Sequence, residues 1–132
     1  IIPMEESGQL KFTSLPNKDL LKNSELGFDI FYANGHTDKQ MIPLIQYKNN
    51  TIAFMADLLP TAGHLPLPFV MGYDTRPLLT LDEKEKFLNM AADNNFYLFL
   101  EHDAHNQSIT VATTKKARRL KNVYTSKELF SL

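Results

Sequence analysis

The sequence contains no cysteine, and only four of its 132 residues are histidine. The absence of cysteine excludes disulfide bonds and thiolate metal ligands. No apolar run approaches the ~18 to 20 residues that a membrane span requires. The formal net charge of -1 gives no overall field that would attract nucleic acid or an anionic membrane. We therefore expect neither nucleic acid nor a membrane as a partner.

The composition is typical of one globular unit. The chain is 43% hydrophobic and 22% charged, and a chain of this length buries roughly two thirds of its unfolded surface. We predict a single domain over residues 1–132. Because the chain begins with Ile1 rather than methionine, we expect a processed, trimmed or incomplete chain.

Apolar and aromatic runs predict several strands and one clear helix. Thr80 and Glu83 have the spacing of a capping box, which predicts a helix over 81–94 on one face of a mostly antiparallel sheet. Residues 59–77 contain six prolines and glycines, so they are predicted to form a long and functional loop. The strands are predicted at 28–33, 41–47, 51–56, 96–100 and 108–113, with a weak strand at 122–125.

The two ends of the chain give weaker signals. Residues 1–8 are predicted to be irregular, because Pro3 and Gly8 lie there. A short strand is predicted at 9–15 and one helical turn at 17–24. Ser126 is predicted to cap a final turn.

Three polar residues lie where predicted strands end. His36 is in the turn after the first aromatic strand, Asp57 ends the third strand, and His102 follows Glu101 after the strand at 96–100. Functional groups often lie on loops at strand ends. A carboxylate after an apolar run is costly to bury unless it has a partner. Imidazole and carboxylate groups together suit zinc, iron or manganese.

Each of these residues also has an ordinary interpretation. A histidine in a turn is commonly exposed to solvent, and Asp57 would be able to cap the turn that follows it. His102 would be able to belong to an exposed polar cluster. His64 and His105 are interpreted as residues that bind no metal. The residues alone therefore indicate an α/β domain with a candidate metal site.

The order of three motifs adds a resemblance to a known family. "NGHTDKQMIPLI", "FMADLLP" and "FLEHDAH" resemble the third, fourth and fifth motifs of the metallo-β-lactamase superfamily, and the resemblance covers residues 27–113. The segment "GYDTRP" and the helix after it resemble the lactonase and organophosphate-hydrolase branches. The family's main signature, His-x-His-x-Asp-His, is absent, since the chain contains no His-x-His. The resemblance implies an α/β (α+β) fold that is the C-terminal half of an αββα sandwich.

The resemblance also implies a metal-dependent hydrolase that cleaves an ester, lactone, amide or phosphoester bond of a small molecule. His36 and His102 would be metal ligands, and Asp57 would be the bridging ligand and catalytic residue. His64 and Tyr73 would lie on the substrate side. The complete protein would hold two ions of zinc, or of iron or manganese. This chain alone would offer at most three ligands, so we expect it to be inactive and to hold at most one ion weakly.

Two alternatives stay open at this point. The chain would also suit a non-catalytic interaction module, in which the half-sandwich is complete by itself or forms a dimer. A di-iron redox member of the same superfamily would have the same residues here. The expected partner is the missing N-terminal half or a second copy of the chain, and apolar surface is expected on the sheet face opposite the helix.

Overall fold

The structure is a computed structural model that describes residues 1–13, 19–114 and 117–131. In these ranges seven strands form one sheet, and their order in the sheet is their order in the chain. Neighbouring strands are antiparallel except β4 and β5, which are parallel. The predicted α+β class with a mostly antiparallel sheet is therefore confirmed. The strands are β1 Leu20–Leu21, β2 Asp29–Ala33, β3 Gln40–Tyr47, β4 Asn50–Phe54, β5 Tyr97–Phe99, β6 Ser108–Thr113 and β7 Arg118–Tyr124.

One long helix, α2, covers one face of the sheet. It spans Pro77–Asp93 and lies in the connection between β4 and β5, as parallel strands require a crossover connection. Two shorter helices lie at the ends of the chain, α1 at Ile2–Glu6 and α3 at Ser126–Ser131. No helix in the described ranges has the length and apolarity needed to cross a bilayer.

The core lies between α2 and the sheet. Alternate residues of the strands point toward the helix, and Leu98 in the middle of the sheet has no exposed surface. The rings of Phe31 and Phe87 meet edge to face with their centroids 5.1 Å apart. Phe87, Leu88 and Ala91 form the apolar stripe of α2, and their helical spacing explains why the helix packs on the sheet.

The opposite face of the sheet carries apolar side chains that are only partly covered. Ile45 is 42% exposed and Phe130 is 49% exposed. Helix α3 reaches this face through the Tyr47 hydroxyl, which donates to the Phe130 carbonyl at 3.0 Å. This face therefore shows the apolar surface that the sequence predicts opposite α2. A depression of about 200 Å³ on it is lined by Ile45, Tyr47, Ile52, Phe54, Phe99 and Phe130.

The predicted start of the long helix is wrong by one turn. The helix begins at Pro77, whose fixed φ suits the first helical position and whose missing N–H costs nothing there. Thr80 is therefore inside the helix, and its hydroxyl lies 3.4 Å from the Arg76 carbonyl oxygen. The capping-box interpretation of Thr80 and Glu83 is wrong, because the Glu83 carboxylate binds a different segment of the chain.

The ends of the chain also differ from the predictions. Residues Ile2–Glu6 form a short helix rather than an irregular segment. Leu20–Leu21 pairs with β2 as a strand rather than forming part of the helical turn predicted at 17–24, of which residues 17–18 lie outside the described residues. The predicted strand at 9–15 has no regular structure at 9–13, and the remainder of it lies outside the described residues.

The final turn is capped by Thr125 rather than by Ser126. The Glu128 N–H donates to the Thr125 hydroxyl at 3.2 Å, and the Thr125 N–H donates to the Glu128 carboxylate at 2.8 Å. This reciprocal pair is the arrangement of a capping box. The weak strand predicted at 122–125 is the end of the longer strand β7.

Candidate metal site

Asp57 lies between two histidine side chains. Its Oδ2 is 3.5 Å from Nε2 of His36, and its Oδ1 is 3.1 Å from Nε2 of His102. The two oxygens of one carboxylate therefore face two different imidazole rings. The structure thus brings together the three residues that the sequence singles out as candidate ligands.

The parallel pair of strands explains why two of these residues meet. Phe54 at the end of β4 is paired with Phe99 at the end of β5, and the Met55 N–H donates to the Phe99 carbonyl at 3.0 Å. Because the strands run in the same direction, the residues that follow them leave the sheet at the same edge. Asp57 and His102 are two of those residues.

The backbone just before Asp57 has an unusual conformation. Ala56 has a φ of 45°, in the left-handed region that a residue with a β-carbon rarely adopts. Such a conformation costs roughly 1 to 3 kcal/mol and is common at functional sites. It redirects the chain from β4 into the short 3₁₀ turn Ala56–Leu58, which carries Asp57.

The His36 ring is oriented by a buried carboxylate. Its Nδ1 is 2.8 Å from Oδ1 of Asp74, whose side chain has no exposed surface. A carboxylate accepts hydrogen bonds, so the Nδ1–H group donates to Asp74, and Nε2 is the ring nitrogen that faces Asp57. A carboxylate behind an imidazole is the usual support for a metal-binding histidine.

The turn that carries His36 is fixed by α2. The Glu83 carboxylate accepts the N–H groups of Asn34 and Gly35 at 2.8 and 2.9 Å. A β-carbon on Gly35 would lie 2.4 Å from the backbone nitrogen of Thr80. Only glycine therefore allows the turn to lie so close to the helix.

His102 lies on a more open segment. Its side chain is 52% exposed, whereas that of His36 is 12% exposed. Glu101 contributes a further donor atom, because its Oε1 lies 3.4 Å from Nε2 of His102. The donor atoms of Asp57, Glu101 and His102 all lie within 4.8 Å of one another.

Asp103 organises the segment after His102. Its carboxylate accepts the N–H groups of Ala62, His105 and Asn106, each at 2.9 Å. Desolvation acts to raise the pKa of Asp103, but these hydrogen bonds outweigh it and hold the pKa well below its ordinary range.

A buried lysine holds the proline-rich loop. Lys84 is 1% exposed, and its Nζ donates to the carbonyl oxygens of His64, Pro66 and Phe69 at 3.0, 3.3 and 2.7 Å. Burial lowers the pKa of Lys84 to about 8, although the charge of Asp74 acts in the opposite direction. The predicted long loop therefore has an ordered path, which includes the short 3₁₀ turn Ala62–His64.

The two predicted substrate-side residues differ in position. Tyr73 is 72% exposed, and its ring centroid lies 6.0 Å from that of His36. The Nδ1 of His64 is bound to the Thr61 hydroxyl at 2.8 Å. Within the described ranges no hydrogen bond or ion pair joins the His64 ring to His36, Asp57 or His102.

Three residues of the site are not predicted from the sequence. Asp74 is in the segment "GYDTRP", whose family resemblance gives it no role, and the spacing of Glu83 predicts a helix cap instead. Glu101 is predicted only as a polar neighbour of His102. Only Glu101 had a local signal, because it directly precedes a candidate ligand at a strand end.

The distances between donor atoms are close to those around a tetrahedral metal ion. Zinc bonds of ~2.0 to 2.2 Å place neighbouring donors about 3.3 to 3.6 Å apart. The separations from His102 to Glu101 and from His36 to Asp57, 3.4 and 3.5 Å, fall in this range, and the separation of 3.1 Å from His102 to the other Asp57 oxygen is slightly below it. The imidazole and carboxylate set suits zinc, and iron or manganese accept the same donors.

Comparison with known proteins gives structural matches only. No family model and no curated protein sequence matches the chain. The solved structure of AidC, a dizinc quorum-quenching lactonase, aligns with a TM-score of 0.70 and 21% identity over 90% of this chain and 40% of AidC. The hydrolase AbOPH of the β-lactamase superfamily aligns with a TM-score of 0.74 and 16% identity over 96% of this chain and 42% of AbOPH. A probable metal-dependent hydrolase from Staphylococcus aureus aligns with a TM-score of 0.61 and 18% identity over 88% of this chain and 40% of its own.

These matches establish the fold. The chain has the fold of metallo-β-lactamase superfamily hydrolases, as its three ordered motifs predict. It spans about 40% of the length of the three proteins, which agrees with the predicted resemblance to a C-terminal half.

Proposed function

We propose that this chain is the C-terminal portion of a metal-dependent hydrolase and supplies part of a two-metal site. The observation that carries the proposal is the position of Asp57, whose two oxygens face the imidazoles of His36 and His102. A carboxylate with this arrangement is suited to bridge two cations. The lactonase and hydrolase folds that the chain matches give the proposal further support.

Different residues of the site are proposed to bind each of the two ions. His36 and Asp57 would hold one ion, while Asp57 and His102 would hold the other, with Glu101 as an additional donor. When bound, zinc supplies Lewis acidity that polarises a carbonyl or phosphoryl oxygen and activates water for attack. Asp74 accepts a hydrogen bond from Nδ1 of His36, which would leave Nε2 as the ring nitrogen that binds an ion.

The proposed substrate is a small molecule with an ester, lactone, amide or phosphoester bond. Tyr73 lies beside His36 and is largely exposed, so its ring and hydroxyl are available to contact a substrate. His64 belongs to the proline-rich loop held by Lys84. We propose that His64 lies on the substrate side as part of this loop, and among the described residues no hydrogen bond or ion pair ties its ring to the three central residues.

The remaining metal ligands would come from outside this chain. An N-terminal half is the proposed source, and the apolar sheet face with Ile45 and Phe130 is available to pack against it. The isolated chain is proposed to be inactive, because too few ligands are present for two ions.

The same apolar face favours a second candidate function, an interaction module that forms a dimer of two half-sandwiches. Light scattering on the isolated chain separates the two candidates when it is combined with zinc titration. A dimer that binds no zinc would support the interaction module, and zinc binding would support the hydrolase.

The central test is the change Asp57→Ala. In the isolated chain we expect Asp57→Ala to weaken zinc binding, measured by isothermal titration calorimetry, by more than ~100-fold. A loss of ~100-fold is the upper end for residues that only support a metal ligand, whereas this change removes a proposed ligand itself. In the longer protein we expect loss of both metals by elemental analysis and loss of hydrolysis of a generic ester or lactone. The encoding sequence before Ile1 is expected to contain a His-x-His-x-Asp-His motif.

The control is His64→Ala, which should change KM or substrate preference while metal content stays the same. If Asp57→Ala in the longer protein retained both metals and full turnover, Asp57 would be only a cap at the end of a strand. The hydrolase proposal would then be wrong.

A further inference from the structure

We infer that Glu83 is the positioning residue of His36, and that its carboxylate sets the metal affinity of the site without contacting the metal. The inference rests on the proposed function, since it assumes that His36 is a ligand. Glu83 is only 3% exposed and lies on α2, 48 positions along the chain from Gly35. A buried carboxylate at this place has a cost that its contacts must offset.

The contacts of Glu83 are with backbone N–H groups of the His36 turn. Its Oε1 accepts the Asn34 N–H at 2.8 Å, and its Oε2 accepts the Gly35 N–H at 2.9 Å. Two adjacent donors thus meet the two oxygens of one carboxylate, and hydrogen bonds to a charged acceptor are stronger than neutral ones. A glutamine would offer one acceptor and turn its NH₂ group toward the other donor.

The carbonyl groups of the same turn are bound from the opposite side. The Arg76 guanidinium donates to the Asn34 carbonyl at 2.6 Å, and the Arg76 N–H donates to the Gly35 carbonyl at 2.8 Å. Thr75 donates through its N–H and its hydroxyl to the His36 carbonyl at 3.2 and 2.9 Å. The residues just before α2 and the Glu83 side chain therefore satisfy the N–H and C=O groups on both sides of the turn.

Steric contact removes the remaining freedom of the turn. The Gly35 α-carbon abuts the first turn of α2, where a β-carbon would lie within 2.3 to 2.6 Å of Thr80 atoms. Moving the turn closer to α2 would cause steric overlap. Moving it away from α2 would break its two hydrogen bonds to the Glu83 carboxylate. The His36 ring is in turn fixed between Asp74 and Asp57.

Fixing a ligand in this way raises affinity, because the free energy of orienting it is not required when the ion binds. Loss of an outer partner typically weakens metal binding by about 10 to 100-fold. Glu83 is therefore expected to affect zinc binding through the position of His36.

The test compares Glu83→Gln with Glu85→Gln in the full chain, using zinc ions alone as the probe. Glu85 is exposed on the same helix, so the second variant carries the same chemical change without the contacts. We expect Glu83→Gln to weaken zinc binding by about 10-fold or more, and Glu85→Gln to leave it unchanged. The ¹⁵N shifts of the His36 imidazole report its position directly and are expected to change only in Glu83→Gln.

The outcomes separate this inference from the proposed function. If the unaltered chain bound no zinc, the proposed function would fail for this chain. If the chain bound zinc and a folded Glu83→Gln variant bound it equally well with the same His36 shifts, the inference about Glu83 would be overturned.

A second variant covers the case in which Glu83→Gln does not fold. Glu83→Asp keeps the charge but is one methylene shorter, so it withdraws the carboxylate from the Asn34 and Gly35 N–H groups. A severalfold weaker zinc affinity is expected for Glu83→Asp. Unchanged affinity and unchanged His36 shifts in that variant would equally overturn the inference.

Discussion

The segments around His36 and His102 are each held by a carboxylate that accepts backbone N–H groups, but the two carboxylates come from different parts of the chain. Glu83 reaches the His36 turn from a helix 48 positions away and is 3% exposed. Asp103 binds N–H groups of its own segment, His105 and Asn106, together with Ala62. One segment depends on the packing of the whole fold, and the other depends mainly on local hydrogen bonds.

This difference bears on how each histidine would meet an ion. His36 is nearly enclosed and has its Nδ1 bound to Asp74, so its position is set before any ion arrives. His102 is half exposed, and its Nε2 lies near carboxylate oxygens of Asp57 and Glu101. The structure therefore combines one preorganised imidazole with one imidazole that has room to adjust.

Gly35→Ala is expected to have the largest effect, because it separates the His36 turn from α2. The new β-carbon would meet the Thr80 backbone, which has no flexible end to move aside. We expect the free energy of unfolding in urea to fall by roughly 2 to 3 kcal/mol, with a loss of zinc affinity. Gly72→Ala is the matched control, since nothing lies within 4 Å of its added carbon. Equal stability of the two variants would show that the turn does not depend on its contact with α2.

Asp74→Asn is expected to weaken zinc binding more than Glu101→Gln does. Asp74→Asn removes the charged partner of His36, and zinc affinity is expected to fall by about 10-fold or more. Glu101→Gln leaves His102 bound to Asp57, so a loss of only a few-fold is expected from this more adaptable side. Titration calorimetry with zinc measures both. A larger loss for Glu101→Gln would mean that preorganisation of His36 is not what limits binding.

The smallest expected effect concerns acid stability of the His102 segment. Because hydrogen bonds lower the pKa of Asp103 below its ordinary value of 3.8, its stabilising contribution is complete above that value and is lost as the pH falls below it. Asp103→Asn should therefore lower the melting temperature by a few degrees at pH 7, and the difference should shrink below pH 3.8. A difference that stays constant down to the most acid pH would contradict the assigned role.

The five strands β2 to β6 were predicted close to their observed bounds, because each has a clear apolar or aromatic pattern, whereas β1 was predicted as a helical turn and only the end of the polar strand β7 was predicted. Strand β6 was predicted with its observed bounds, and the family resemblance gave the correct fold. The start of α2 was not predicted, since the Thr80 and Glu83 spacing resembles a capping box and Pro77 was counted as part of the loop. The true partner of Glu83 is far away in the chain, and no local pattern reveals such a contact.

The candidate site was predictable only in part. His36, Asp57 and His102 follow strands and were found from that position. Asp74 and Lys84 were not found, because their roles depend on how the proline-rich loop folds back on α2. Lys84 lies within an apolar stripe, where a charged residue gives no indication of the three carbonyl oxygens that it binds.

The parallel pairing of β4 with β5 joins two antiparallel meanders, β1–β4 and β5–β7. Asp57 belongs to the end of the first meander and His102 to the second, about 45 positions further along the chain. An ion bound by both residues would link the two meanders in the folded state, and the ion would be released when the chain unfolds. The free energy of unfolding would then increase with the logarithm of the zinc concentration above the Kd, so that the site would contribute to cohesion between the meanders as well as to chemistry.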